Sequence, residues 1–124
     1  MQGFRRLNVW NKAHQLTLEV YRVTARFPRE ELYALTSQMK RAASSIAANI
    51  AEGCGRGSDA DFGRFLFMAM GSASELESHL VLARDLLLFI SEADYLQLDS
   101  LTGEVKRMLA SLIQRTRESA ATAG

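Results

Sequence analysis

The chain has 124 residues, a formal net charge of +1, 48% hydrophobic and 23% charged residues. That length makes one domain, residues 1–124, able to bury about two thirds of its unfolded surface, and the composition is that of an ordinary globular protein. No apolar run reaches the roughly 18 residues a membrane span needs, the segment MQGFRRLNVWNKAH lacks the apolar core of a signal peptide, and the lone Cys54 has no partner for an internal disulfide; together these point to a reducing cytoplasm.

Periodicity and punctuation predict four helices, at about 8–26, 30–53, 59–89 and 92–117. Asn8 is the expected first N-cap. Behind it Trp10, Ala13, Leu16, Thr17, Val20, Val23, Thr24 and Phe27 form an apolar stripe, with Lys12, Gln15, Glu19, Arg22 and Arg26 opposite. Pro28 stops the helix by excluding α geometry before it. The second helix opens on Glu30 and Glu31, acids suited to a helix N-terminus. It turns Leu32, Leu35, Met39, Ala42, Ile46 and Ile50 inward and ends at Gly53 and Gly55. Ser58 caps the third helix with Asp61 three residues on, a variant of the capping box. Its core line is Phe62, Phe65, Leu66, Ala69, Ala73, Leu76, Leu80, Ala83 and Leu87. Ser91 and Asp94 repeat the cap for the fourth helix, which buries Leu98, Leu101, Val105, Met108, Leu112 and Ile113. Gly103 interrupts it at a cost of about 1 kcal/mol, and the tail 118–124 is expected to fray. Short connections imply an all-α, up-down-up-down antiparallel four-helix bundle.

Two ten-residue stretches inside these helices carry no charge, Ala42 to Ala51 and Phe65 to Ser74. Ten residues is nearly three turns, so neither cylinder has a charged face there. Both are expected to be covered on more than one side, by close helix packing and by an oligomer contact. Ala42, Ala43, Ala47, Phe65, Phe67, Met70 and Gly71 are the candidates, with Gly71 and Ala73 set against the small residues of the second helix.

Charge is unevenly spread: residues 1–57 sum to +5 and residues 58–124 to −4. One reading is a polyanion footprint; the other is attraction between the two halves as they pack. The candidate phosphate contacts are Arg5, Arg6, Lys12, Arg22, Arg26 and Arg29.

The chain offers little chemistry. His14 and His79 have no carboxylate or Cys at the spacing of a di-metal bundle, and Glu75 with His79 is better explained as an ion pair or hydrogen bond. Cys54 follows a helix end, so nothing lowers its pKa. GCGRGS precedes a helix, but no strand leads in and no Lys follows, so it is an inter-helix turn and not a phosphate loop. No catalytic residue, cofactor or metal site is expected. Polar residues Gln38, Arg41, Ser45, Asn49 and Glu52 step along one face of the second helix, and Glu75 and Glu77 flank the uncharged part of the third. A buried network of Gln38, Arg41, Asn49, Glu52, Glu75 and Glu77, with Arg41 paired to a carboxylate, is the structural expectation; a ligand site is the alternative.

The same residues carry a family likeness. Val9–Trp10–Lys12–Ala13, Phe27–Pro28, Leu35–Thr36–Ser37–Gln38, Arg41–Ala42–Ala43, Asn49–Ile50–Ala51–Glu52–Gly53, Arg64–Phe65–Leu66 and Gly71–Ser72 with Glu75–Leu76–Glu77 resemble the four-helix-bundle proteins encoded within intervening sequences of bacterial 23S rRNA genes. The likeness covers roughly residues 5–115. The family pattern has Ser-Ile-Pro before Asn-Ile-Ala-Glu-Gly; Ser45–Ile46–Ala47–Ala48 stands there instead, which implies a straighter second helix. Family members resemble the accessory protein of diversity-generating retroelements, a homopentamer that binds nucleic acid and a reverse transcriptase. The resemblance therefore implies a homopentamer and, more weakly, binding of RNA or single-stranded nucleic acid and contact with a nucleic-acid enzyme. No catalytic residue is known for the family. The alternative is a protein–protein scaffold or adaptor with no nucleic-acid binding.

Overall fold

The computed structural model describes residues 3–86 and 90–123. Four α-helices account for most of them: α1 (Asn8–Thr24), α2 (Ser37–Cys54), α3 (Asp59–Asp85) and α4 (Glu92–Ala123). No strand occurs among the described residues. Each helix packs on its neighbour in sequence and α4 returns to α1, leaving α1 and α3 diagonally opposed. Side-chain pairs fix the directions. Lys12 meets Glu104 and Arg22 meets Asp94, so α1 and α4 are antiparallel. Ser45 meets Ser72 while Gly53 meets Phe65, so α2 and α3 are too.

The core follows the inward stripes read from the helical repeat on α1, α2 and α3, with Leu16, Val20, Met39, Ile46, Ile50, Leu66, Leu76 and Leu80 fully buried; on α4 the buried line is Leu98, Val105, Leu109 and Ile113, while the expected Leu101, Met108 and Leu112 are only partly buried, as is Trp10 on α1. Burying such a residue contributes about 1.5–3 kcal/mol. The expectations for Leu87 and for the Leu32 side chain lie outside what the structure describes.

The helix ends hold most of the departures. Asn8 is not a cap but the first residue of α1; the cap position falls on extended Leu7, which has no side-chain acceptor. A short 3-10 turn, Phe4–Arg6, delivers the chain directly onto the helix, and the Asn11 amide secures the junction by donating to the carbonyls of Arg5 and Leu7, both at 3.0 Å. After Thr24 the chain tightens, with the Phe27 N–H donating to the Thr24 carbonyl at 3.0 Å. The segment expected to begin the second helix winds as a 3-10 turn (Arg29–Glu31) and a π turn (Leu32–Thr36) before α2 proper starts. From Ser37 α2 runs to Cys54 as uninterrupted α-helix.

Gly53 does not stop α2 by conformational freedom. It is buried within the last turn, and a Cβ there would lie 2.8 Å from Phe65 Cβ and 2.9 Å from Phe62 Cδ1. Its role is close approach of α2 to α3; the left-handed residue of the turn is Gly57, with φ 86°. Ser58 and Ser91 cap as expected, accepting from the Asp61 and Asp94 N–H groups at 3.2 and 3.1 Å. The tail is not frayed: α4 continues to Ala123. Its alanines are the strongest helix formers, and the Ser119 hydroxyl donates to Asp59 at the start of α3, tying the last turns down.

Candidate nucleic-acid interface

Helix α1 presents its basic residues to the outer edge of the bundle, and α4 supplies acids along the same seam. Lys12 Nζ lies 3.4 Å from Glu104. Arg22 donates through Nε to Glu19 at 2.7 Å and through Nη2 to Asp94 and Gln97, each at 3.1 Å. Those carboxylates hold the Arg22 guanidinium above its ordinary pKa, the Glu19 hydrogen bond contributing most. Arg26 Nη1 adds a contact of 3.4 Å to the same Asp94, whose side chain is only 14% exposed. Three of the six expected phosphate contacts are thus already engaged with acids. Among the described residues, three of the nine cations of residues 1–57 pair with acids of residues 58–124 within the subunit.

The other three stay free of acids. Arg5 lies over the Phe4 ring, 4.9 Å from its centroid, and Phe4 leans on Trp10, which stacks on His14 with centroids 4.8 Å apart. Arg6 and Arg29 are exposed, with no ion pair among the described residues. Arg6 borders a groove of about 480 Å³ between the start of α1 and the far half of α4, lined also by Leu7, Asn8, Val9, Arg107, Met108, Ser111, Leu112 and Arg115. Arg107 and Arg115 belong to the acidic half of the chain, where a charge count conceals them. Their spacing with Ser111, four residues either side, places all three on one face of a helix, and that is the signal the sequence holds.

The expected polar network divides into separate pieces. Ser45 sits at one centre: the Asn49 amide donates to its carbonyl at 2.9 Å and its hydroxyl at 3.1 Å, and the Ser72 hydroxyl reaches it from α3 at 2.9 Å. Gln38, Arg41 and Glu75 border a shallow groove of about 420 Å³ beside this cluster. Arg41 is exposed and has no carboxylate within ion-pair distance among the described residues, so the buried Arg41–carboxylate pair does not form in the subunit. Glu52, in the last turn of α2, pairs with Arg56 at 3.4 Å. Glu77 faces α4 and accepts from Lys106 at 2.9 Å. His79 is not bonded to Glu75; its Nε2 is enclosed without a hydrogen-bond partner.

Of the packing candidates, Ala42, Ala43, Ala47 and Phe65 are buried and Met70 is half-buried. The α2 stretch is covered on two sides, by α1 through Thr17, whose hydroxyl donates to the Ala43 carbonyl at 3.1 Å, and by α3 through Ser72. The α3 stretch is also covered on two sides, by α2 through Ser72 and by α4, whose Arg117 lies over Phe67, but it keeps an outward face. Gly71 is exposed, with open space where a Cβ would stand, because the helical phase that buries Ala69 and Ala73 turns Gly71 outward. Phe67 is 50% exposed beneath the Arg117 guanidinium with Met68 beside it, and a second outward apolar group, Val81, Leu82 and Leu86, follows beyond the exposed Ser74, Glu75 and Ser78. On the diagonal helix Leu18 and Tyr21 are exposed as well.

No group of three or more His, Cys, Asp or Glu able to hold a metal ion occurs among the described residues. Burial pushes the Cys54 thiol above its ordinary pKa, which leaves less of it as thiolate at neutral pH than in a free cysteine. No described helix is long and apolar enough to cross a membrane.

The sequence pattern of the family described as 23S rRNA-intervening sequence protein matches residues 5–111. Among solved structures, the chain is similar to a crystal structure of a protein of unknown function from the S23 ribosomal protein family of Bacteroides thetaiotaomicron. The two are 26% identical with a TM-score of 0.78, and the likeness covers 86% of this chain and 95% of that one. No curated protein matches this chain.

Proposed function

Because this chain belongs to the 23S rRNA-intervening sequence protein family, we propose that it is a non-enzymatic, cytoplasmic accessory protein that assembles as a homopentamer and binds RNA or single-stranded nucleic acid, in company with a nucleic-acid enzyme. The observation that carries this reading is the set of exposed apolar side chains on diagonally opposed helices. On α3 and its C-cap these are Phe67 and Met68 toward one end and Val81, Leu82 and Leu86 toward the other; on α1 they are Leu18 and Tyr21. Large apolar side chains gathered on outward helix faces mark interaction surfaces. Two unlike patches facing different ways suit a head-to-tail contact, and a head-to-tail contact that closes makes a ring. A ring repeats each unpaired arginine around an axis, so a weak phosphate contact in one subunit gains avidity in the assembly.

Light scattering on the wild type is expected to give five times the 13.8 kDa of one chain. Gly71→Leu, on the outward face with open space around it, is expected to lower that mass while leaving the subunit folded by circular dichroism. A monomeric wild type would remove the assembly. Filter binding with single-stranded RNA then tests the rest, since phosphate contacts require affinity to fall steeply with salt. The scaffold reading, with no nucleic-acid binding, draws on one specific observation: Lys12, Arg22 and Arg26 are spent on acids of the same subunit. It wins if wild-type protein binds no RNA at low salt.

A further inference from the structure

The chain has fifteen Lys and Arg residues. Seven of them, Lys12, Arg22, Arg26, Arg56, Arg64, Arg84 and Lys106, pair with acids. Arg5, Lys40 and Arg117 lie over the rings of Phe4, Tyr21 and Phe67. Only Arg6, Arg29, Arg41, Arg107 and Arg115 have neither an acid nor a ring among the described residues. Three of these five line one groove, the cleft of about 480 Å³ between the start of α1 and the far half of α4. No carboxylate lines it among the described residues.

The neutral donors of that groove are equally unengaged. Asn8 does not cap its own helix, and neither its amide nor the Ser111 hydroxyl has a hydrogen-bond partner among the described residues. Helix α1 also begins with no side-chain cap and no acid in its first turn. Like charges gathered without counter-charge are unfavourable, and three arginines that line one groove with no acid paired to them leave their attraction unused within the subunit; Arg107, whose Nη1 rests beside Gly103 one turn back along α4, reaches a ligand in the groove by a change of rotamer. Guanidinium forks match phosphate oxygens in shape and charge. Leu7, Val9, Met108 and Leu112 give the groove apolar walls, which lower the local dielectric and strengthen those bonds.

We infer that the Arg6–Arg107–Arg115 groove is a phosphate-binding site, with Asn8 and Ser111 as auxiliary donors. Its ligand is a phosphate group, either of a nucleic-acid backbone or of a free phosphate compound. In the first case the site deepens the RNA-binding reading and moves its main contact from the middle of α1 to the α1–α4 groove. In the second it stands apart from that reading.

Calorimetric titration of the assembled protein with inorganic pyrophosphate at fixed ionic strength tests the site directly. Wild type is expected to bind saturably. The double variant R107Q/R115Q is expected to bind about tenfold or more weakly, and R22Q/R26Q to stay within about twofold of wild type. Asn8→Asp puts a carboxylate into the groove at a helix N-terminus, where an acid favours the helix. It is expected to weaken pyrophosphate binding with no drop in thermal stability, which separates a ligand role from a structural one. In parallel, the salt slope of single-stranded RNA binding is expected to flatten in R107Q/R115Q by about 0.7 for each phosphate no longer neutralised. No saturable pyrophosphate binding, or equal binding by wild type and R107Q/R115Q, overturns the site; RNA binding with an unchanged slope then leaves the accessory reading standing without it. Pyrophosphate binding with no RNA binding at any salt assigns the groove to free phosphate compounds and overturns the RNA reading alone.

Discussion

The α2–α3 contact and the α1–α4 contact hold the same bundle together by opposite means. Between α2 and α3 no ion pair crosses among the described residues; the helices meet through Gly53 under Phe62 and Phe65 and the Ser45–Asn49–Ser72 cluster, flanked by small buried residues such as Ala42, Ala69 and Ala73. Between α1, with the turn that follows it, and α4 three ion pairs cross among the described residues, from Lys12 to Glu104 and from Arg22 and Arg26 to Asp94. Shape dictates the first contact, so it is close and tolerates no added atom. Charge dictates the second, and where the acids of α4 give way to Arg107 and Arg115 the seam opens into a groove. Pairing in space, not charge counted along the chain, decides where positive potential is left over.

The largest expected effect lies on the shape-determined side. Gly→Ala inside a helix ordinarily stabilises by about 1 kcal/mol. At Gly53 the new Cβ would stand 2.8 Å from Phe65 Cβ, and overpacking costs roughly 1–3 kcal/mol. Gly53→Ala is therefore expected to be net destabilising, by up to about 2 kcal/mol in urea denaturation. A stabilised variant would mean that α2 and α3 are not in close contact there. The matching control is Gly71→Ala, where a Cβ meets nothing. It is expected to stabilise the isolated subunit by up to about 1 kcal/mol, so the same substitution has opposite signs at a packed and an open position.

On the charge-determined side, Asp94→Ala removes the acceptor of both Arg22 and Arg26. It also removes a first-turn acid, itself worth about 0.3–1 kcal/mol. The ion-pair part of the destabilisation is expected to shrink between about 0.1 and 1 M salt, where the screening length falls from about 10 to 3 Å. The effect of Gly53→Ala is expected to stay constant over the same range. Equal salt dependence for the two variants would erase the distinction between the contacts. The smallest effect concerns Cys54. Burial raises its pKa, so its alkylation by iodoacetamide at mildly alkaline pH is expected to be slower than that of a free thiol. The unfolded chain ionises there first, so the thiol's contribution to stability is intact below the unfolded value and falls as pH rises past it. Alkylation as fast as free cysteine would place the thiol in water.

The helical repeat, the Ser58 and Ser91 caps and the inward stripes were legible in the sequence because they are local: burial of one face imposes a 3.6-residue period whatever the neighbours are. So was the likeness to the rRNA intervening-sequence proteins. The continuous helix after Arg117 was hidden, because the Ser119–Asp59 bond that ties it joins residues sixty apart. Gly53 reads as a helix stop in one dimension and proves to be a contact surface in three. The fates of the arginines were hidden for the same reason. Arg22 and Arg115 look alike along the chain, but the antiparallel register of α1 and α4 sets Asp94 against one and Arg6 beside the groove lined by the other. Local periodicity determines which residues face inward. Only the packing of four helices decides which charges meet, because electrostatic energy depends on distance in space and falls away within a few ångströms of a partner.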